Sequence, residues 1–347
     1  VNDMTQRLPD LELVDPHNPM ADLQAGILRT PVSAEQSFDD DPLRMLRAAR
    51  FASQLGFDVD LEVMEAMEQM AQRLEIVSAE RIRSELERLL LSPYPRRGLE
   101  LLVHTGICDI VLPEVSALQD TVDEHRRHKD VYEHTLTVLQ QAMDLETGPD
   151  GAVPGPDLRL RLAALMHDIG KPATRRFMPD GTVTFHAHDY VGARMTAKRM
   201  RALHFDKQTI KDVSRLVELH LRFHGYADSP WSDSAVRRYV TDAGPLLARL
   251  GCLTRADVTT GNRRKAAMLS HAYDDLERRI EALRQQEELA SIRPELDGQE
   301  IMTELGIKPG PEVGKAYKFL LDLRMERGPI GKELAREALH SWWATQQ

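Results

Sequence analysis

The sequence predicts a mostly α-helical protein, with short β segments near its start and one small hairpin further on. Three observations carry this. Apolar residues recur at three- and four-residue steps, as over 61–74, where Leu61, Met64, Met67, Ala71 and Leu74 form one stripe. Aromatics are only 5% of the 347 residues, while Leu, Ala, Arg, Glu and Met dominate, a mix that suits helices packed on helices. Strand-like runs are confined to Leu11 to Val14, Ile27 to Leu28 and the arms of "RRFMPDGTVTF", whose Asp-Gly pair predicts a hairpin turn.

In order, residues 1–30 read as the edge of a sheet. Pro42 suits the first position of a helix starting at Asp41, with Leu43, Leu46 and Leu55 to pack. Ser78 is placed to cap the next helix, with Glu80 near its positive end. "PRRGLELLVHTG" is a helix closed by Gly106. "DVYE" resembles a capping box with Asp130 as the cap, opening a helix to about Leu145. "TGPDGAVPGP" is a linker loop over 147–156. Helices resume at about Asp189, Lys207, Ser234 and Leu246, and a long one runs roughly from Arg264 to Leu289. After a break near 295, a last helical unit over 298–345 holds the loop "LGIKPGPEVG" between two helices.

The composition, 42% apolar and 29% charged with a net charge of −10, is that of a soluble globular chain. Any nucleic acid must then meet a local basic patch, for which Arg237-Arg238 and Arg263-Arg264-Lys265 are candidates. Cys108 and Cys252 form neither a disulfide framework nor a zinc knuckle, which points to a reducing, cytoplasmic setting. No apolar run approaches the ~20 residues that span a bilayer, and no signal peptide is visible, so no membrane role is expected.

The strongest chemical signal is His134, the pair His167-Asp168, His188, His220 and Asp257. Imidazole nitrogens with carboxylate oxygens suit a divalent cation such as Mg²⁺, Mn²⁺ or Ni²⁺. His167-Asp168 closes the apolar helix "LRLRLAALMHDIGK", and side chains about 100° apart can flank one ion. Gly170 is expected to let the chain turn away, and Lys171 to hold a phosphate oxygen. This order resembles the HD superfamily of metal-dependent phosphohydrolases. The resemblance implies that His134, His167, Asp168 and Asp257 bind one ion, and that His188 and His220 bind a second ion or the phosphate. His125, His128, His186 and His224 lie nearby in sequence and are read as surface or substrate-facing.

A second signal is "SFDDDPLRMLRAARFASQLGF", residues 37–57, where an acidic run precedes Arg44, Arg47 and Arg50. Steps of three rotate about 60° each, so the three guanidiniums share one face. Arginine makes forked bonds to phosphate oxygens, so such a face can ladder along a triphosphate; a solvated face paired with local acids is the alternative. Asp41 is expected to orient Arg44 by a salt bridge, offering an acceptor and donors to a base edge.

This stretch resembles the neck motif of class II tRNA nucleotidyltransferases, the CCA-adding enzymes, and of bacterial poly(A) polymerases. The resemblance implies that Asp41 and Arg44 select CTP or ATP and that Arg47 and Arg50 contact the triphosphate. The acidic pair falls on Asp40 and Asp41. "SAERIRSEL" is similar to the family's later Glu-Arg-x-x-x-Glu motif, so Glu80, Arg81 and Glu85, with Asp40, would brace the neck. "VNDMT", "DPHNPMADLQAGILRTP" and "LDGQEIMTELGIKPGPEVG" resemble the family's head-closing segments and tail, and the wording elsewhere looks actinobacterial. The implied division is a head remnant at 1–36, a neck at 37–115, an HD-type body at 116–292 and a helical tail at 293–347.

The family's polymerase metal site is an Asp-x-Asp pair on a head sheet after a Gly-Gly-x-x-Arg-Asp turn. Residues 1–36 hold neither, and Asn18-Pro19 replaces the usual Gly-Gly. The expectation is that those parts lie before Val1 and that the chain as given cannot itself add CCA. Three functions follow: addition of CCA to tRNA from CTP and ATP with Mg²⁺, metal-dependent hydrolysis of 2′,3′-cyclic phosphates or phosphomonoesters at the His/Asp set, or RNA binding without catalysis.

Overall fold

Amphipathic helices build almost all of the computed structural model, which describes residues 5–7, 12–14, 19–119, 121, 131–179, 182–223, 225–226, 229, 231–260, 262–287 and 292–346. The mostly helical expectation therefore holds. The strands among the described residues are two or three residues long. Thr5–Arg7 pairs antiparallel with Glu12–Val14, Ile27–Leu28 runs parallel to Asp58–Val59, and Arg176–Phe177 pairs antiparallel with Val183–Thr184. That last pair is the expected hairpin, although its Asp180-Gly181 turn lies outside the described residues, as do Asn18, Asp130, His125, His128 and His224.

Packing divides the chain into two compact units, Val1–Leu221 with Ala248–Thr259, and Arg222–Leu247 with Thr260–Gln347. This division is drawn across the linear segments expected from the sequence, because residues 248–259 return to the first unit and bring Asp257 with them.

In the first unit, the acidic run does not sit on the arginine helix. Ser33 caps a separate helix, Ala34–Asp40, by accepting from the Gln36 backbone N–H at 3.2 Å, and Pro42 starts the next, Leu43–Leu55. Leu43 and Leu46 are buried as expected, but Leu55 is exposed. Leu61 is exposed as well. The stripe it was assigned to begins at Val63 and ends in a tighter 3₁₀ turn over Ala71–Ile76, so the 3.6-residue period does not run through residue 74. Leu43–Leu55 packs on Ala79–Leu90 and on Pro95–His104. Gly98 permits the second contact, since a Cβ there would collide with the Ala49 carbonyl and the Ser53 hydroxyl.

Four further helices, Val131–Asp144, Leu158–Met166, His188–Ala202 and Lys207–Leu219, pack together behind the histidine set. Asp157 caps Leu158–Met166 by accepting from the Leu160 N–H at 2.8 Å, and the Arg249 guanidinium forks onto the same carboxylate at 2.9 and 2.7 Å. One aspartate thus ties the helix that carries His167 to the helix Leu247–Ala256 that precedes Asp257. Beside it, the buried Arg161 donates to both Glu146 carboxylate oxygens at 2.7 Å and to the carbonyls of Leu90 and Ser92. Arg161→Ala leaves the buried Glu146 carboxylate with only the Asp157 N–H and the two carbonyls without their donor. The expected loss is about 3–5 kcal/mol, read as a lower denaturation midpoint in urea.

The second unit is all helix among its described residues, with a core of Leu296, Ile301, Ala316, Leu320, Ala335 and Leu339. Asp297 and Glu300 form a reciprocal capping box at the start of Gly298–Leu305.

Candidate metal centre and nucleotide-binding neck

All six expected metal ligands converge in the first unit. His134 faces inward from Val131–Asp144, and His167 and Asp168 lie just past the end of Leu158–Met166. His188 opens its helix, His220 follows Lys207–Leu219, and Asp257 follows Leu247–Ala256. They form two sets, each with ligand atoms within 4.8 Å of one another: His134, His167 and Asp257, and Asp168, His188 and His220. Asp168 joins them. Its Oδ2 lies 3.2 Å from His167 Nε2 and 3.5 Å from His134 Nε2, while its Oδ1 lies 3.3 Å from His188 Nε2.

The imidazoles are aimed by a repeated local device. His167, His188 and His220 each donate Nδ1–H to the carbonyl three residues earlier, on Ala164, Phe185 and Val217, at 2.8, 2.8 and 2.6 Å. A carbonyl can only accept, so Nδ1 carries a proton and Nε2 is turned toward the centre. His134 Nδ1 meets the Thr259 hydroxyl at 2.9 Å, and its Nε2 meets Asp257 at 3.0 Å. Among the described residues the buried Nε2 atoms of His188 and His220 make no hydrogen bond.

These residues fit a divalent ion. Ligands ~2.0–2.1 Å from one metal stand roughly 3.0–3.4 Å apart, and the His134–Asp257, His134–His167 and His167–Asp257 separations are 3.0, 3.3 and 3.5 Å. Four imidazoles with two carboxylates favour a first-row transition metal over calcium.

The electrostatics lean the same way. Burial alone would lower His167, but the Asp168 and Asp257 carboxylates prevail and push it up to about 10. Burial opposes ionisation of both carboxylates, yet His167 and Lys171 hold Asp168, and His134 and His167 hold Asp257, well below the usual range. Burial, then the neighbouring His167, takes His220 down to about 4. The metal-free cluster thus holds two carboxylates as anions and His220 uncharged, while His167 keeps a proton that a bound cation would have to displace. A consequence follows for chelator-treated protein. The His220 contribution to stability is complete above about pH 6.5 and is lost as pH falls toward 4, because the unfolded imidazole protonates first. The His167 contribution is complete below about pH 6.5 and is lost as pH rises toward 10. Thermal melts in EDTA should therefore show a maximum near pH 6.5 that flattens in a His167→Ala/His220→Ala variant.

Two expectations here need correction. Gly170 has φ −77°, so it turns no corner that other residues could not. Its use is close packing, since a Cβ would strike the His188 carbonyl and the Gly192 backbone, holding the His-Asp turn against the helix Asp168 must reach. Lys171 does not stand free for a phosphate. Its Nζ lies 2.8 Å from Asp168 Oδ2 and 5.6 Å from the centre of the Phe185 ring.

The neck residues also gather in the first unit, in an arrangement unlike the expected one. Asp41 pairs with Arg81 at 3.0 Å, not with Arg44, and its Oδ1 accepts from the Leu43 N–H. Arg44 donates to the Ser37 carbonyl and hydroxyl at 3.2 and 3.0 Å, with Asp40 at 3.9 Å. The turn at Pro42 separates Asp41 from the arginine helix, whereas the expected helix started at Asp41. Glu85, 4% exposed, takes both remaining arginines, Arg50 at 2.9 Å and Arg47 at 3.5 Å. Arg50 is itself buried, while Arg44 and Arg47 are about two-fifths exposed. Glu80 reaches His204 at 2.6 Å instead of the neck helix.

Of the basic patches, Arg263, Arg264 and Lys265 are exposed at the start of Arg263–Glu287, and Arg238 is half exposed. Arg237 is buried and donates to the Met325 carbonyl at 3.1 Å, a structural position that a basic pair in sequence does not reveal. Neither cysteine forms a disulfide among the described residues, and no described helix is long and apolar enough to cross a membrane.

Residues 56–118 match the family described as the probable RNA and SrmB-binding site of polymerase A, and residues 131–262 match the HD domain family. The chain is 34% identical to the A-adding tRNA nucleotidyltransferase of Deinococcus radiodurans over 342 residues, 96% of this chain and 75% of that protein. It is 36% identical to the CC-adding tRNA nucleotidyltransferase of Thermus thermophilus over 330 residues, 92% of this chain and 70% of that protein. In fold it resembles the CCA-adding enzyme of Bacillus stearothermophilus solved with CTP, at a TM-score of 0.65 and 18% identity, over 99% of this chain and 72% of that one.

Proposed function

The chain belongs to the tRNA nucleotidyltransferase family, and on that premise we propose that it selects the nucleotide and handles the RNA in completing the CCA end of tRNA from CTP and ATP. The observation that carries this is the neck: Asp41 fixed by Arg81, with the half-exposed Arg44 and Arg47 beside it. Asp41 offers an acceptor and Arg44 a planar donor fork to a base edge. Arg47, steadied by Glu85, faces the phosphates, and the buried Arg50 supports it through the same carboxylate. Arg238, Arg263, Arg264 and Lys265 are proposed to add a non-specific grip on tRNA. Transfer needs Mg²⁺ and head carboxylates that residues 1–36 do not contain, so this chain alone should not extend tRNA. Arg44→Ala should weaken CTP and ATP binding at least tenfold, as measured by fluorescence titration of the 347-residue chain. Unchanged affinity would remove the neck from nucleotide selection.

A second activity is favoured by the built metal centre. We infer that His134, His167 and Asp257 would hold one divalent ion and Asp168, His188 and His220 a second, and that the centre hydrolyses phosphoesters of the 2′,3′-cyclic or monoester type. Ions bound there would lower the pKa of a water and offset phosphoryl charge. The chain supplies the rest. The Nδ1–H bonds to backbone carbonyls fix each imidazole, burial keeps bulk water from the ligands, and Lys171 holds Asp168 ionised. The cytoplasmic setting and the four-segment division remain parts of the same proposal.

A further inference from the structure

The helix His188–Ala202 begins in the metal centre and carries a second feature along its outer face. Tyr190, Arg194, Lys198 and Arg201 are all exposed and fall at i, i+4, i+8 and i+11, within an arc of roughly 80° and along ~16 Å of helix. The side chains of Arg194, Lys198 and Arg201 make no hydrogen bond or ion pair among the described residues. The one other arginine of the helix, Arg199, is bound to Glu114 at 2.7 Å. No acidic side chain shares the face, in a chain of net charge −10.

The hairpin that leads into this helix has the same character. Arg175 and Arg176 are exposed, the Arg175 guanidinium lies 5.4 Å from the centre of the Phe177 ring, and Phe177 is 72% exposed. Both ends of the hairpin are tied to the metal centre. Lys171, on the preceding turn, pairs with Asp168, and the carbonyl of Phe185, just after the hairpin, orients His188. Cations interleaved with exposed aromatic rings are the composition that follows a single-stranded nucleic acid: the cations track phosphates and the rings stack on bases. An acidic peptide would use the cations but leave Phe177 and Tyr190 with nothing to stack on.

We propose that this hairpin and helix face hold a single-stranded RNA 3′ end and lead its terminal phosphate into the metal centre, whose substrate is then a polynucleotide end and not a free nucleotide. This rests on reading the centre as a phosphohydrolase, and the test separates the two ideas. Binding of a fluorescein-labelled 12-nucleotide RNA ending in a 2′,3′-cyclic phosphate is measured by anisotropy in EDTA, where no hydrolysis is needed. Arg194→Glu/Lys198→Glu/Arg201→Glu should weaken binding at least tenfold and flatten the log–log salt dependence by about 2, the loss of three phosphate contacts to a single strand. The milder Arg194→Gln/Lys198→Gln variant should lie between. Hydrolysis with Mn²⁺ is then compared on the same RNA and on 2′,3′-cyclic AMP. The ratio of kcat/KM for RNA over mononucleotide should fall tenfold or more in the triple variant. Unchanged RNA binding, or displacement of the RNA by poly-glutamate as effectively as by unlabelled RNA, overturns the RNA face while leaving the centre's chemistry standing. Charge-dependent RNA binding with neither substrate hydrolysed by the wild-type chain overturns the centre's chemistry and keeps the RNA face.

Discussion

Asp168→Ala will abolish metal-dependent hydrolysis of a 2′,3′-cyclic nucleotide by this chain, a loss of a thousandfold or more in kcat/KM. The argument is positional. Asp168 is the one residue whose two oxygens serve different ligand sets, Oδ2 toward His134 and His167 and Oδ1 toward His188. Removing it takes a ligand from the His188 and His220 set and the carboxylate that faces His134 and His167 in the other. The loss should exceed the roughly 10–100-fold typical of residues that only orient ligands. Asp168→Asn keeps the volume and removes the charge, and should be nearly as inactive, because an amide neither anchors a cation nor opposes the charge on His167 and Lys171. His188→Ala, which touches one set, should lose less. Equal losses for His188→Ala and Asp168→Ala would argue against a shared carboxylate.

Glu85→Ala is expected to be the most damaging single change in the neck. Glu85 is buried against Arg50, which is also buried, and reaches Arg47 as well. Deleting it strands a buried guanidinium, at a cost of about 3–5 kcal/mol. It also frees Arg47 from the position proposed to meet phosphates, so nucleotide affinity should fall together with stability. A rescue separates the effects. Glu85→Leu combined with Arg50→Met replaces the buried pair by apolar groups, and should recover most of the stability in urea denaturation. Nucleotide affinity should stay low, because Arg47 still lacks its partner. Recovery of both would mean that Arg47 needs no partner to act.

The six residues of the His/Asp cluster were legible in the sequence because their chemistry is carried by residue type and order. His134, His167, Asp168, His188, His220 and Asp257 are each picked out by type and order, and the fold gathers all six. The parts that were not legible depend on three-dimensional neighbours. That Asp41 would pair with Arg81 and not Arg44 follows from the break at Pro42 and from 40 residues of intervening chain. That Gly170 is needed for close approach follows from a helix that arrives eighteen residues later at His188. The burial of Arg237 reflects the Met325 carbonyl from a distant segment, while Leu55 and Leu61 satisfy a helical stripe but lie at helix ends that face water. The caps at Ser33, Asp157 and Asp297 went unread, although each is a local side-chain signal, and Ser78 starts its helix without a side-chain cap bond.

The central claim is a paired metal centre with Asp168 between two ligand sets. Calorimetric titration of the metal-stripped chain with Mn²⁺ tests it most directly. Two ions per chain are expected for the wild type, one for His188→Ala/His220→Ala and none at comparable affinity for Asp168→Ala. A wild-type chain that binds no Mn²⁺, or one whose stoichiometry is the same in all three proteins, contradicts it.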